Sequence, residues 1–135
     1  MDIWLNGYKN MIKKYLKLDD INAYKIASEL SDLVWDIVIK WEWFAKKTIG
    51  AQLVEAMDSV AANIAEGFGR FHKKDKQKFY YNARGSIYES AYWCKKAHKR
   101  NLIPQEEYSH IMEELRKLPK EINFLIKITE IKLTI

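Results

Sequence analysis

Long stretches of helical periodicity constrain the fold of this sequence more than any other feature. In four segments the apolar residues recur at steps of three and four, which places them on one face of an α-helix. Breakers are scarce, because the 135 residues include five glycines and two prolines. Many short strands would need more turn material. The sequence therefore predicts an all-α protein built from long helices.

The first helix is predicted over residues 20–44, and the second follows Thr48 and ends near Gly69. Asp19 or Asp20 is expected to cap the first helix and Thr48 the second, because their side chains accept hydrogen bonds from free backbone N–H groups. The apolar face of the first helix comprises Ala27, Leu30, Val34, Ile37, Val38, Trp41 and Phe44. That of the second comprises Leu53, Val54, Met57, Val60, Ala61, Ile64 and Phe68.

The third helix is predicted over residues 75–100, after a short basic turn at residues 71–74, and the fourth from Pro104 onward. Proline suits a first helical position, whereas Pro119, inside the fourth pattern, predicts a kink or break. The third apolar face comprises Phe79, Ala83, Ile87, Ala91, Cys94 and Ala97. The fourth comprises Tyr108, Ile111, Leu115, Leu118, Ile122, Leu125 and Ile128.

Four helices with short connections predict an antiparallel up-and-down four-helix bundle over residues 19–135. Residues 1–18 form an N-terminal extension, which can add a short helix. No window approaches the roughly 18 apolar residues of a membrane span, and the N-terminus lacks a signal-peptide core. The single cysteine, Cys94, excludes an internal disulfide. We expect a cytoplasmic protein that does not bind membranes.

Positive charge is concentrated in one part of the chain. The formal net charge is +5, yet residues 70–100 hold ten basic and two acidic residues, about +8, which leaves about −3 elsewhere. Such a regional excess attracts a polyanion, although the lysines could also merely solvate a helix. The candidate nucleic-acid contacts are Arg70, Lys73, Lys74, Lys76 and Lys78 near the start of the third helix, and Lys95, Lys96, Lys99 and Arg100 at its end.

The length of the third helix separates these two basic clusters by roughly 30 Å. One compact contact in a monomer cannot engage both. A ring of subunits would repeat each cluster and create two basic rims, so that avidity compensates for weak individual contacts.

The third helix also carries a second row of aromatic residues, Tyr81, Tyr88 and Tyr92, flanked by Trp93. With Trp35 and Trp43 on the first helix, this is more aromatic surface than a monomeric bundle can bury. Exposed aromatic surface usually marks an interface, which favours self-association. Base stacking on nucleic acid and half-buried tyrosines with solvated hydroxyls remain alternatives.

A polar motif spans the second and third helices. Asn63-Ile64-Ala65-Glu66-Gly67 is followed by Arg70, and Phe79 precedes Arg84-Gly85-Ser86 and Glu89. Over residues 20–128 this combination resembles the four-helix-bundle family of ribosomal-RNA intervening-sequence proteins. The resemblance implies a bundle that assembles as a ring, often a pentamer. A related branch, the accessory variability determinant of diversity-generating retroelements, implies nucleic-acid binding and a reverse transcriptase as a partner.

The residues of this motif also support a structural interpretation. Three- and four-residue spacing on antiparallel helices would bring Asn63 near Ser86 and Glu66 near Arg84, and two glycines would let the backbones approach. We expect a polar network that sets register or partner choice. Its members are Asn63, Glu66, Gly67, Arg84, Gly85, Ser86 and Glu89.

The sequence contains little that indicates an active site or a metal site. Glu107 and His110 have the Glu-x-x-His spacing of di-iron bundles, but the second copy and the further glutamates are missing. Cys94 and His98 are one turn apart, and two ligands do not close a metal site. We predict no enzyme activity, no cofactor and no metal.

The sequence and the resemblance together predict a homo-oligomeric, ring-like protein that binds nucleic acid, with RNA or structured nucleic acid as the expected ligand. The alternative is a protein–protein adaptor that docks onto an enzyme such as a reverse transcriptase. It predicts the same oligomer with little affinity for nucleic acid alone.

Overall fold

The computed structural model describes residues 17–134, with side chains through residue 131, and over this range it is helical with no strand. The four long helices are α1 (Asn22–Val38), α2 (Ala51–Gly69), α3 (Lys73–Lys99) and α4 (Gln105–Thr134). A 3-10 turn, Leu18–Asp20, precedes α1, and a one-turn helix, Trp43–Ala45, continues through a π-helical turn, Lys46–Gly50, into α2. The all-α prediction is confirmed. The expected extra N-terminal helix lies outside the described residues.

The helices pack in the order of the chain. α2 contacts α1 and α3, α3 contacts α4, and α4 returns to α1. Short connections between consecutive helices make neighbours antiparallel, so the up-and-down bundle is confirmed. None of the described helices is both long and apolar enough to cross a membrane.

The core contains most of the predicted apolar faces, with departures in both directions. Phe44, a member of the predicted first face, is 65% exposed, whereas Tyr80, which belongs to none of the predicted faces, is 3% exposed. Burial raises the pKa of Tyr80 to about 12, and its hydroxyl bonds with Thr129 of α4. The fully buried larger side chains include Leu53, Met57, Ile64, Ile111, Leu118 and Ile122.

The connection from α1 to α2 differs from the prediction. α1 ends at Val38, and a new helix begins at Trp43, where the side chain of Glu42 accepts hydrogen bonds from the N–H groups of Phe44 (2.9 Å) and Ala45 (2.8 Å). Thr48 is therefore not an N-cap. It lies inside the π-helical turn, where its hydroxyl donates to the carbonyl of Phe44 at 2.7 Å.

The aspartates before α1 do not cap it through their side chains. Asp19 and Asp20 lie in the 3-10 turn, and Ile21 occupies the N-cap position without a side-chain hydrogen bond. Their charges still lie near the helix N-terminus, where the helix dipole favours negative charge.

The ends of α3 and the start of α4 agree with the prediction within two residues. Asn101 adopts a left-handed conformation (φ 61°) and ends α3. Its N–H donates to the carbonyl of His98 at 3.0 Å, and that of Leu102 donates to Ala97 at 2.9 Å. Pro104 directly precedes α4, and its carbonyl accepts from the N–H of Tyr108.

Pro119 does not break α4, which is continuous through it. The buried residues Leu115, Leu118 and Ile122 lie on both sides of the proline. Core packing on either side outweighs the one backbone hydrogen bond that proline removes.

Candidate nucleic-acid interface

Charge divides unevenly among the four helices. α3 carries eight basic and two acidic residues. α1 carries one basic and three acidic residues, α2 carries three acidic residues and no basic one, and α4 carries five basic and six acidic residues. α3 is thus the one of these helices with a net positive charge. Among the four long helices, the excess positive charge is therefore confined to α3.

One face of α3 combines lysines with tyrosines in an unbroken pattern. Its residues recur at alternating steps of four and three, which keeps them in line on a helix, and all of them are exposed. They are Lys74, Lys78, Tyr81, Gly85, Tyr88, Tyr92, Lys95 and Lys99. We call this surface the tyrosine–lysine face. Lysines occupy both of its ends, and the tyrosines lie between them.

This geometry changes the expectation about the two basic clusters. Lys74 and Lys99 lie about 37 Å apart along the helix at 1.5 Å per residue. They nevertheless belong to the same continuous face. A compact ligand cannot span this distance, but an extended polyanion can follow the face from one end to the other without any second subunit.

Three of the nine predicted contacts have partners within the protein instead. Arg70 pairs with Glu66 at 3.3 Å, and Lys73 pairs with Glu130 at 3.3 Å. The half-buried ammonium of Lys76 donates to the carbonyl of Phe68 at 2.7 Å and also to that of Gly67. Those are carbonyls of the last turn of α2, where the helix leaves acceptors free, and the carbonyl of Gly67 also accepts from the N–H of Arg70 at 3.3 Å. Lys76 is therefore a helix cap.

The remaining two predicted contacts lie beside the face. Lys96 is half-buried, with its ammonium 5.6 Å from the centre of the Tyr92 ring. Arg100 is exposed at the end of α3. Both can add positive charge where the face ends.

The two glycines of the polar motif have opposite surroundings. A Cβ atom on Gly67 would lie 2.7 Å from Cε1 of Tyr80 and 3.1 Å from the carbonyl oxygen of Lys76, so α3 lies close to α2 there, first through a side chain and then through its backbone. A Cβ atom on Gly85 would meet nothing within 4 Å, so the prediction of a close approach is wrong for Gly85 within this chain. Gly85 instead leaves a gap in the tyrosine–lysine face between Tyr81 and Tyr88.

The predicted polar pairs across α2 and α3 do not form. Asn63 donates to the carbonyl of Ser59 in its own helix at 2.8 Å, and Glu66 pairs with Arg70. Both partners lie one helical turn away, closer than the neighbouring helix. Arg84 turns toward α4 and donates to the Asn123 side chain at 3.2 Å. Of the other two motif residues, Ser86 is half-buried and Glu89 is exposed.

The other surplus aromatic residues form a second surface at the α1–α2 connection. Trp35 (53% exposed), Ile39 (48%), Trp43 (68%) and Phe44 (65%) are its members, and we call it the tryptophan patch. A groove of about 170 Å³ runs beside it, lined by Trp35, Val38, Ile39, Lys46, Gly50, Ala51 and Val54. This surface also carries positive charge, because Lys46 lines the groove and the Lys47 ammonium lies 4.7 Å from the centre of the Trp43 ring.

The candidate metal ligands do not converge. Over the described residues, no three histidine, cysteine, aspartate or glutamate side chains come together as a metal site would require. Cys94 is buried, which raises the pKa of its thiol to about 12. His98 stacks on Tyr108, with ring centres 4.1 Å apart.

Comparison with known proteins supports the resemblance found in the sequence. Residues 19–124 match the family model described as 23S rRNA-intervening sequence protein. No curated protein matches the chain. The fold is similar to a crystal structure from Bacteroides thetaiotaomicron, described as a protein with unknown function from the S23 ribosomal protein family. The TM-score is 0.70 at 17% identity, over 82% of this chain and 99% of that one.

Proposed function

Because this chain belongs to the 23S rRNA-intervening sequence protein family and carries its positive charge on one helix, we propose that it is a non-enzymatic, self-associating protein that binds nucleic acid. RNA or structured nucleic acid is the proposed ligand, and the tyrosine–lysine face is the proposed contact. The resemblance to the family adds the expectation of a ring, often a pentamer.

The observation that carries the proposal is the position of the lysines. Lys74, Lys78, Lys95 and Lys99 are exposed on one face of α3, and Glu89, the one exposed acidic residue of this helix, lies beside that face. Lysines that neutralise phosphates release condensed counterions, which drives binding that depends strongly on salt and weakly on sequence. A linear array of this kind suits a phosphate backbone.

Self-association is assigned to the tryptophan patch. Its four exposed side chains are apolar or aromatic, which is the composition enriched at the core of protein interfaces. The patch lies at the α1–α2 connection, and its four members are not on α3. Association through it would leave the tyrosine–lysine face of each copy open and repeat it, which raises affinity through avidity.

The proposal is tested by light scattering behind a sizing column, with and without a mixed RNA pool, at low and moderate salt. We expect a discrete oligomer that gains mass with RNA at low salt and releases it at higher salt. A monomer would contradict the self-association, and an oligomer indifferent to RNA would contradict the nucleic-acid binding.

A matched pair of variants locates the contact. Lys78→Glu with Lys95→Glu reverses two charges on the face, and Lys25→Glu with Lys120→Glu reverses two exposed charges on α1 and α4. At equal net charge, the first pair should weaken RNA binding far more. It should also make the slope of log affinity against log salt shallower by about 1.4, at roughly 0.7 per phosphate contact on a single strand. Equal losses in both pairs would rule out the face.

The second candidate function is a protein–protein adaptor that docks onto an enzyme such as a reverse transcriptase. The exposed tryptophan patch and its groove favour it, because a surface of this composition also suits a different protein. This function predicts that the oligomer forms but that charge reversal on α3 changes nothing measurable with RNA alone.

A further inference from the structure

We propose that the tyrosine–lysine face is a track for single-stranded nucleic acid, on which unpaired bases stack against Tyr81, Tyr88 and Tyr92. Lys74, Lys78, Lys95 and Lys99 contact the phosphates on either side. This inference rests on the proposed nucleic-acid binding, and it adds the strand state of the ligand and a role for the tyrosines.

The tyrosine rings are available to a ligand. Tyr81, Tyr88 and Tyr92 are 54%, 60% and 51% exposed. Within the described residues, Tyr81 and Tyr88 make no ring contact and no side-chain hydrogen bond. Tyr92 packs edge-on against Trp93, with ring centres 4.9 Å apart, which fixes the orientation of its ring. Three aromatic rings are therefore exposed. Among the described residues those of Tyr81 and Tyr88 lack ring partners, whereas the ring of Tyr92 is held by Trp93 and lies 5.6 Å from the Lys96 ammonium.

The spacing of the tyrosines requires unpaired bases. Along α3, Tyr81 and Tyr88 are about 10 Å apart, and Tyr88 and Tyr92 about 6 Å apart. Successive bases in a stack are about 3.4 Å apart, so bases on different tyrosines cannot remain stacked on each other. A duplex offers its phosphates and groove edges but keeps its base faces inside. A flexible single strand can separate its bases and place them on aromatic rings.

The gap at Gly85 fits the same ligand. A side chain there would project from the middle of the face, between Tyr81 and Tyr88. With nothing within 4 Å of the position of a Cβ atom, the backbone of α3 is open to a strand that passes over it. A longer side chain would hold the strand away from the flanking rings.

Charge argues for a polyanion over a second copy of this face. The four lysines lie in pairs at both ends of α3, with the tyrosines between them. Packing this face against its copy would bring lysines against lysines, whether the two helices ran parallel or antiparallel. Like charges in contact are unfavourable, whereas phosphates on either side of a stacked base complement both ends.

The test uses the full-length protein and three fluorescent probes of equal length: a 20-nucleotide oligouridine, the same strand with all bases removed, and a 20-base-pair RNA duplex. The strand without bases keeps the phosphates and cannot stack. We expect oligouridine to bind at least about tenfold more tightly than the strand without bases, since stacking on an aromatic side chain strengthens binding by about that factor or more per base. The duplex should resemble the strand without bases.

Two triple variants separate stacking from apolar contact. Replacing Tyr81, Tyr88 and Tyr92 with Phe keeps the aromatic faces and should keep the preference for oligouridine. Replacing the same three with Leu keeps apolar surface but removes the rings, and it should make oligouridine bind like the strand without bases. Tyr88→Leu alone, with an expected partial loss, serves if the triple variant does not fold.

The outcomes distinguish the two proposals. If the wild-type protein binds none of the three probes, the proposed nucleic-acid binding fails and the track fails with it. If it binds all three equally, nucleic-acid binding stands and the stacking track is overturned. If the Leu variant changes the subunit number measured by light scattering, the tyrosines belong to a subunit contact and the track is overturned.

Discussion

Gly67 and Gly85 show how the same residue type can be indispensable at one position and unconstrained at another. Gly67 faces the ring of the buried Tyr80, where a Cβ atom would come within 2.7 Å of Cε1. The carbonyl of Lys76 would lie at 3.1 Å, and a backbone atom cannot rotate away. Gly85 faces open space. The first position is fixed by core packing and the second is free to serve a surface function.

This contrast predicts opposite effects on stability. Gly67→Ala should lower the free energy of unfolding by about 1–2 kcal/mol, because overpacking costs more than the gain in helix propensity returns. Gly85→Ala should raise it by about 0.5–1 kcal/mol through helix propensity alone. Urea denaturation of both variants measures the two changes. A stable Gly67→Ala protein would mean that Tyr80 can move aside.

Tyr80 and Cys94 should make the protein less stable in alkaline solution. Burial raises the pKa of Tyr80 from 10.0 and that of Cys94 from 9.0, in both cases to about 12. Between about pH 9 and 12 the unfolded chain therefore loses these protons before the folded chain does. The stabilisation is complete below pH 9 and is lost as pH rises toward 12, by up to about 1.4 kcal/mol per pH unit for each group.

Urea midpoints measured from pH 7 to 11 check this prediction. The control is the double variant Tyr80→Phe with Cys94→Ala, which has neither titrating group. Its midpoints should fall less steeply above pH 9 than those of the wild type. If the urea midpoints of the wild type and the double variant fall in parallel as pH rises, other groups, such as the lysines, cause the loss of stability in alkaline solution.

At the scale of elements, the junction between α2 and α3 is held by a lysine that the sequence suggests for phosphate binding. The ammonium of Lys76 bonds to two carbonyls of the last turn of α2, and Lys78, two residues further along α3, is exposed. Two residues correspond to a rotation of about 200° around a helix. That rotation turns one lysine toward the neighbouring helix and the other toward solvent.

Substitution of each lysine by Met should separate these roles. Lys76→Met removes charge-assisted hydrogen bonds to carbonyls at a helix end and should lower the free energy of unfolding by about 1.5–3 kcal/mol. Lys78→Met should change stability by less than about 0.5 kcal/mol and should weaken RNA binding. Thermal melting and a binding titration measure both quantities. Loss of stability in the Lys78 variant would overturn the assignment.

At the scale of the whole molecule, the bundle presents two different surfaces to partners. The tyrosine–lysine face runs the length of α3, and the tryptophan patch lies at the α1–α2 connection. A protein that binds copies of itself through one surface and a polyanion through the other can do both at once.

If the tryptophan patch is the subunit contact, substitutions in it should change the number of subunits without unfolding the protein. Trp43→Ser with Phe44→Ser should reduce the oligomer seen by light scattering, because it removes two side chains that are more than half exposed and contribute little to the core. Phe71→Ser is the matched control, since Phe71 is 85% exposed but lies in the turn before α3. A change in the control alone would move the subunit contact to that turn.

The sequence by itself determined the fold class, because helical periodicity and scarce breakers leave few alternatives to a helical bundle. It also located the positive charge, since α3 contains its lysines whatever it packs against. The motif from Asn63 to Glu89 was enough to indicate the family. The alternating steps of four and three that define the tyrosine–lysine face are also present in the sequence. The sequence alone, however, suggested nucleic-acid contact for the lysines and self-association for the tyrosines.

Only the tertiary structure decided which side chains face a neighbour. Glu42 displaced Thr48 as a cap because side-chain capping depends on where the chain turns, and that turn is set by how α1 and α2 meet. Arg84 bonds across to α4 and not to Glu66 because the rotation of α3 points it there. Each residue along a helix turns its side chain by about 100°, so an error of one residue in register is enough to exchange a buried partner for solvent.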